Sequence, residues 1–191
     1  GEPRIGSLRG STPVLLSAPH GAIHTRRGAP KEEEEFTAAM ACLVAELTGA
    51  HALYARRRSP TDPGWYRDVP YKRRLRRIVA RDRIRFVLDV HGTAPSRDLG
   101  VALGTMHGRS CPERRGLIIR LLEHHGFRQR RDSVDGLEHL DTLDVDETFT
   151  AEGLDGQETV TAFAWETLGV PSAQLELHPG LRVVERREDA T

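Results

Sequence analysis

The sequence predicts an α/β protein, a three-layer α/β/α arrangement around a mixed, mostly parallel sheet, on three observations. Residues 86–90, Phe-Val-Leu-Asp-Val, are an apolar, partly β-branched run that only Asp89 interrupts, as a strand buried on both faces of a parallel sheet reads. Shorter apolar runs at 14–16, 50–55, 99–103 and 172–178 alternate with stretches of helical period, as in βαβ units. Three of the runs close on Pro19-His20-Gly21, His91-Gly92 and His178-Pro179-Gly180. Ligands of open α/β sheets bind outside the carboxyl ends of the strands, so these terminations mark the expected site.

Taken in order, residues 1–12 read as a loose lead-in and 14–16 as a strand that Pro19 and Gly21 close. Residues 21–30 read as a loop. Residues 31–47 read as a helix, with Phe36, Met40, Leu43, Val44 and Leu47 at i, i+4, i+7, i+8 and i+11 and four glutamates, Glu32 to Glu35, in its first turn. Gly49 stops it. A strand at 50–55 leads into a long Pro- and Gly-rich loop at 56–68, and Pro70 opens an Arg-rich helix that runs towards the central strand. Residues 113–125 are the next helix, stopped by Gly126. Acidic residues without periodicity at 131–156 suggest a surface excursion over the site. Residues 158–168 form the last long helix, before the strand at 172–178.

At 191 residues the chain is expected to be a single domain, 1–191, long enough to bury a full core. A net charge of zero argues against a dedicated nucleic-acid binder, although the charge is unevenly spread. Cys42 and Cys111, with no CxxC spacing, are expected as free thiols. No apolar run approaches 18 residues, so neither export nor membrane insertion is expected and a cytoplasmic location follows by default.

The chemistry lies at the strand ends. Asp89 and His91 are two apart and share a face of their strand, where the carboxylate can orient the imidazole as it does behind a metal-bound His. A buried His satisfied by a neighbouring Asp has the same spacing. His20 occupies the same topological position. The glutamates at 32–35 suit a helix N-terminus and also set four carboxylates one loop after His20. In the last strand Ala173, Leu175 and Leu177 fall on one side, and Gln174, Glu176 and His178 on the other. Two His and a carboxylate are the usual catalytic zinc set, with a fourth position open for water, and a further Glu can take that water's proton. The residues therefore read as a zinc hydrolase.

The series Ser17-Ala18-Pro19-His20-Gly21, Glu34-Glu35-Phe36-Thr37, Leu88-Asp89-Val90-His91-Gly92 and Gln174-Leu175-Glu176-Leu177 resembles the N-formylglutamate amidohydrolase family, whose fold is related to zinc carboxypeptidases and poly-γ-glutamate hydrolases. The resemblance implies a zinc-carboxypeptidase-like fold. It also implies a Zn²⁺ held by His20, Glu34 and His91, with Glu176 as general base. Arg67 falls where relatives carry an Arg for a substrate carboxylate, and Arg182 is the other arginine considered for that role. The expected activity is hydrolysis of an amide bond in a small N-acyl amino acid, N-formyl included, or a peptide-like substrate. The competing expectations are a carboxypeptidase-like peptidase, γ-glutamyl bonds included, and a non-catalytic domain binding anions through its Arg-rich 56–85 region.

Overall fold

The computed structural model describes residues 4–129 and 139–183. In chain order its strands are β1 (Ile5–Leu8), β2 (Val14–Ala18), β3 (His24–Arg26), β4 (Ala29–Lys31), β5 (His51–Ala55), β6 (Phe86–Gly92), β7 (Val101–Gly104), β8 (Arg128–Gln129), β9 (Thr142–Val145) and β10 (Ser172–Leu177). The helices are α1 (Thr37–Thr48), α2 (Pro70–Asp82), α3 (Pro112–His124), α4 (Val160–Ala162), which continues as a π-helical turn Phe163–Thr167, and α5 (Pro179–Arg182).

Eight strands form one mixed sheet in the order β1-β5-β2-β6-β10-β7-β9-β8. Its centre, β5-β2-β6-β10, is parallel throughout, so the carboxyl ends of these four strands share one edge. The β10–β7 pair is antiparallel, and β9 and β8 follow β7 in its direction. Strand β1 closes the other edge antiparallel to β5. Five of the seven pairings are therefore parallel, as the fold class predicts.

Strand alternation divides the core into two layers. Leu15, Leu53 and Val87 point to the side of α2 and α4, where they pack on Tyr71, Leu75, Ile78, Val160 and Phe163. Leu16 and Leu88 point to the opposite side, beneath α1, and Leu88 also meets the cluster beneath α3. Helices thus lie on both faces, giving three layers. Among the described residues no helix is long and apolar enough to cross a membrane.

Four expectations are corrected. Helix α1 starts at Thr37 and not at residue 31, because residues 29–31 pair with β3 in a hairpin and Phe36 adopts a left-handed φ of 63° that a helix cannot absorb. The stripe of Phe36, Leu43, Val44 and Leu47 faces solvent; α1 seats Thr37, Ala41 and Ala45 on the sheet, small residues that admit close approach to Ala18 and Ala52. The lead-in contains β1, and the loop at 21–30 contains the β3–β4 hairpin. The acidic excursion contains β9, a buried member of the sheet, although residues 148–157 do cross over the cavity as expected. Residues 131–138 of that stretch lie outside the described residues.

Candidate metal centre

The site assembles at the carboxyl edge, on the α2 side of the sheet. His91 stands at the end of β6 and His20 two residues past β2. Glu34 arrives from the turn that leads into α1. That turn is tied down locally: the Glu34 N–H donates to the His20 carbonyl at 2.9 Å, and Thr37 donates through Oγ1 to the Glu34 carbonyl at 2.7 Å. The left-handed Phe36 then reverses the chain into α1, which leaves the Glu34 side chain facing the strand ends.

Three ligand atoms converge. His20 Nδ1 lies 2.7 Å from Glu34 Oε1 and 3.1 Å from His91 Nδ1, and His91 Nδ1 lies 3.5 and 3.2 Å from the two Glu34 oxygens. Bonds of 2.0–2.1 Å to a tetrahedral zinc imply ligand–ligand edges of about 3.3 Å, so the spacing fits such an ion. The Gly92 N–H donates to Glu34 Oε2 at 2.9 Å and fixes the carboxylate, leaving Oε1 for coordination.

The far nitrogens of the two rings are treated alike. His91 Nε2 is 2.9 Å from Asp89 Oδ2, and His20 Nε2 is 2.8 Å from Asp62 Oδ1, both carboxylates being fully buried. A carboxylate behind each imidazole fixes the tautomer that presents Nδ1 inward and raises its basicity. Asp62 is held in turn by Arg26 Nε at 2.5 Å and by the Gly64 N–H at 2.7 Å. Gly64 approaches the His20 ring so closely that a Cβ there would sit 3.0 Å from its Cε1 and Nε2.

A second buried group with metal-ligand spacing, His20, His24 and Asp62, shares His20 with the first. It uses the opposite side of the imidazole, and Arg26 already places a positive charge on Asp62. His24 stacks on His20 with ring centroids 4.2 Å apart, and its buried Nε2, 3.5 Å from Asp62 Oδ2, has no hydrogen-bond partner among the described residues. Burial and the neighbouring His20 push the His24 pKa down, so it packs as a neutral ring.

The charges at the centre are strongly perturbed. Burial alone would lower the His20 pKa, but Glu34 and Asp62 outweigh it and raise the value to about 9. His91 is likewise raised against burial by Asp89 and Glu34. Glu34 is held well below the usual carboxylate range because the two imidazoles outweigh the burial that would raise it. Glu176, on the β10 residue paired with His91, goes the other way: burial, aided by Glu34, raises it to about 7. Gln174 Nε2 donates to its Oε1 at 2.7 Å. No family model, curated protein or solved structure matches the chain.

A cavity of about 630 Å³ opens over these groups. His20, Glu34, His91 and Glu176 line its floor; Trp65, Phe149 and Leu154 supply apolar walls. Of the predicted site residues, the structure brings these four together and leaves both arginines out. Arg67 is exposed and does not line the cavity. Arg182 donates to the carbonyls of Leu177, Glu35 and Thr93, bracing β10 against the Glu34 turn. His178 is also placed away from the cavity, capping α5 through the Gly180 N–H. The cations that do line it are Arg26, Lys31 and Arg97. Sequence reasoning missed these three and Asp62. Asp62 sits in a Pro-Gly turn motif, and only tertiary folding brings it to a histidine 42 residues away.

Proposed function

We propose that this protein is a zinc-dependent amidohydrolase that cleaves an amide bond in a small anionic N-acyl amino acid or short peptide. The observation that carries the reading is the convergence of His20 Nδ1, His91 Nδ1 and Glu34 on one point, each imidazole backed by its own buried aspartate. The resemblance of the strand-end motifs to N-formylglutamate amidohydrolases supports the same reading. When bound, zinc polarises the scissile carbonyl and lowers the pKa of coordinated water to about 7.

The chain's own residues do the rest. Glu176 lies beside His91 without belonging to the ligand set, and its pKa near 7 suits a group that takes a proton and then returns it. It would accept the proton of the attacking water and deliver it to the departing amine. Gln174 holds its Oε1 and leaves Oε2 for that transfer. Among the described residues, Glu34 and Glu176 are the only acids lining the cavity; of its cations Arg26 is paired with Asp62, which leaves Lys31 and Arg97 to meet a substrate. That distribution favours a substrate carrying carboxylates away from the scissile bond.

The test is a panel of N-formyl and N-acetyl amino acids and short peptides, acidic and neutral, assayed with zinc-loaded and chelated protein. Hydrolysis of acidic members that chelation abolishes and zinc restores is the expected outcome. Turnover that survives chelation, or a preference for cationic substrates, would contradict the proposal.

A further inference from the structure

The α1–α3 side of the sheet is not closed. Six of the eight exposed large hydrophobic side chains among the described residues lie on α1, at its N-cap or on α3: Phe36, Leu43, Val44, Leu47, Leu117 and Leu121. Single exposed hydrophobics need no explanation, but a contiguous set marks an interaction surface. This set lies on one side of the molecule because the two helices cover neighbouring parts of one sheet face. Leu88 packs under both, and between them Phe86, Leu175 and Leu177 of β6 and β10 are only partly buried. Helix α3 has no fully buried residue, and α1 buries only its small ones.

We propose that this face is where a second copy of the chain docks, with α1 of each copy against α3 of the other. Charge decides the occupant and the pairing. Helix α1 has one charged residue in twelve, Glu46, exposed beside Leu47. Helix α3 carries exposed Arg120 beside Leu121. Neither forms an ion pair among the described residues. Packing α1 on its own symmetry mate brings two acidic helices together; packing it on α3 sets Glu46 against Arg120. In an isologous two-fold interface that contact occurs twice. The aliphatic residues supply the buried centre and the Glu46–Arg120 pairs the rim, the ordinary anatomy of a protein–protein interface.

The experiment is the solution mass of the zinc-loaded full chain by sedimentation across a concentration series, for wild type and four variants. Wild type is expected as a dimer of twice 21.3 kDa. The double variant Leu43→Glu/Leu47→Glu is expected to be monomeric. Glu46→Arg and Arg120→Glu replace two attractions with two repulsions, so each should raise the dissociation constant by roughly ten-fold. Glu46→Arg/Arg120→Glu, which restores opposite charges, should return it to within a few-fold of wild type. All four changes are at exposed positions, and zinc content serves as the check that each variant is folded. A wild type monomeric up to about 1 mM overturns the proposal. So does a dimer that ignores the Leu43/Leu47 change, or single charge variants that the double swap does not rescue.

Discussion

The two faces of the central strands are made from alternate residues of the same short segments, yet they are different kinds of surface. Along β6, Val87, Asp89 and His91 point to the α2 side while Phe86 and Leu88 point to the α1–α3 side. Along β10, Gln174 and Glu176 share the cavity side with His91, and Ala173, Leu175 and Leu177 pack beneath α3. A one-residue slip of either strand would exchange the two sets, so the apolar face is what holds the polar face in register. The polar face is roofed by the loops at 62–66 and 148–157. The apolar face is left partly open.

Substitutions on the two faces should therefore separate chemistry from stability. The largest effect is expected from Glu176→Gln, which keeps the side-chain volume but cannot take up a proton. Turnover should fall by ~10²–10⁴ with zinc content and melting temperature preserved. Steady-state kinetics with metal analysis on the same sample checks this, and loss of zinc would make Glu176 a ligand.

On the opposite face, Leu16 is buried beneath α1 on the strand that leads to His20. Leu16→Ala should cost about 2–5 kcal/mol in denaturant unfolding while the folded fraction keeps its zinc and its rate. A matching loss of zinc affinity in the folded protein would show that the faces are not separable.

Asp62→Asn and Asp89→Asn remove the charge behind each imidazole and should each weaken zinc binding by ~10–100-fold. Similar losses at the two positions are expected, since the geometry is the same; an inert Asp62 would reduce it to a structural residue of its loop.

The smallest effect concerns pH. The His20 pKa is raised from 6.5 to about 9 in the metal-free protein, so its contribution to stability is fully present below pH 6.5 and is lost as pH rises through about 9. Glu176, raised from 4.5 to about 7, adds a loss in the same direction between those values. Chelated protein should accordingly melt lower at pH 9 than at pH 6.5. Zinc affinity should rise over the same window, because binding displaces the protons. Melting curves and zinc titrations at the two pH values check both signs.

What was legible in the sequence follows from the range of each interaction. The Asp89–His91 pair is a local, period-2 relation, and the structure keeps it at 2.9 Å. Placing His20, His91 and Glu176 at one edge needed only the parallel order of buried strands. The position of Glu34 was not legible in helical terms, because a hairpin and one left-handed residue displace the helix start. Periodicity found the apolar stripe on α1 but not its outward direction, since period reports which residues share a face and not which way the face points. The cavity-lining cations were the least legible. Arg67 had the motif, whereas Arg26, Lys31 and Arg97 have only the tertiary position.

The central claim is a single metal centre built from His20, Glu34 and His91. Zinc content per chain after loading and exhaustive dialysis, for wild type and for His20→Ala, Glu34→Ala and His91→Ala, tests it most directly. One zinc per chain in the wild type and little in each variant is the predicted result, with Glu32→Ala, Glu33→Ala and Glu35→Ala retaining the metal. A wild type that retains no zinc, or full retention in the His20 and His91 variants, would contradict it.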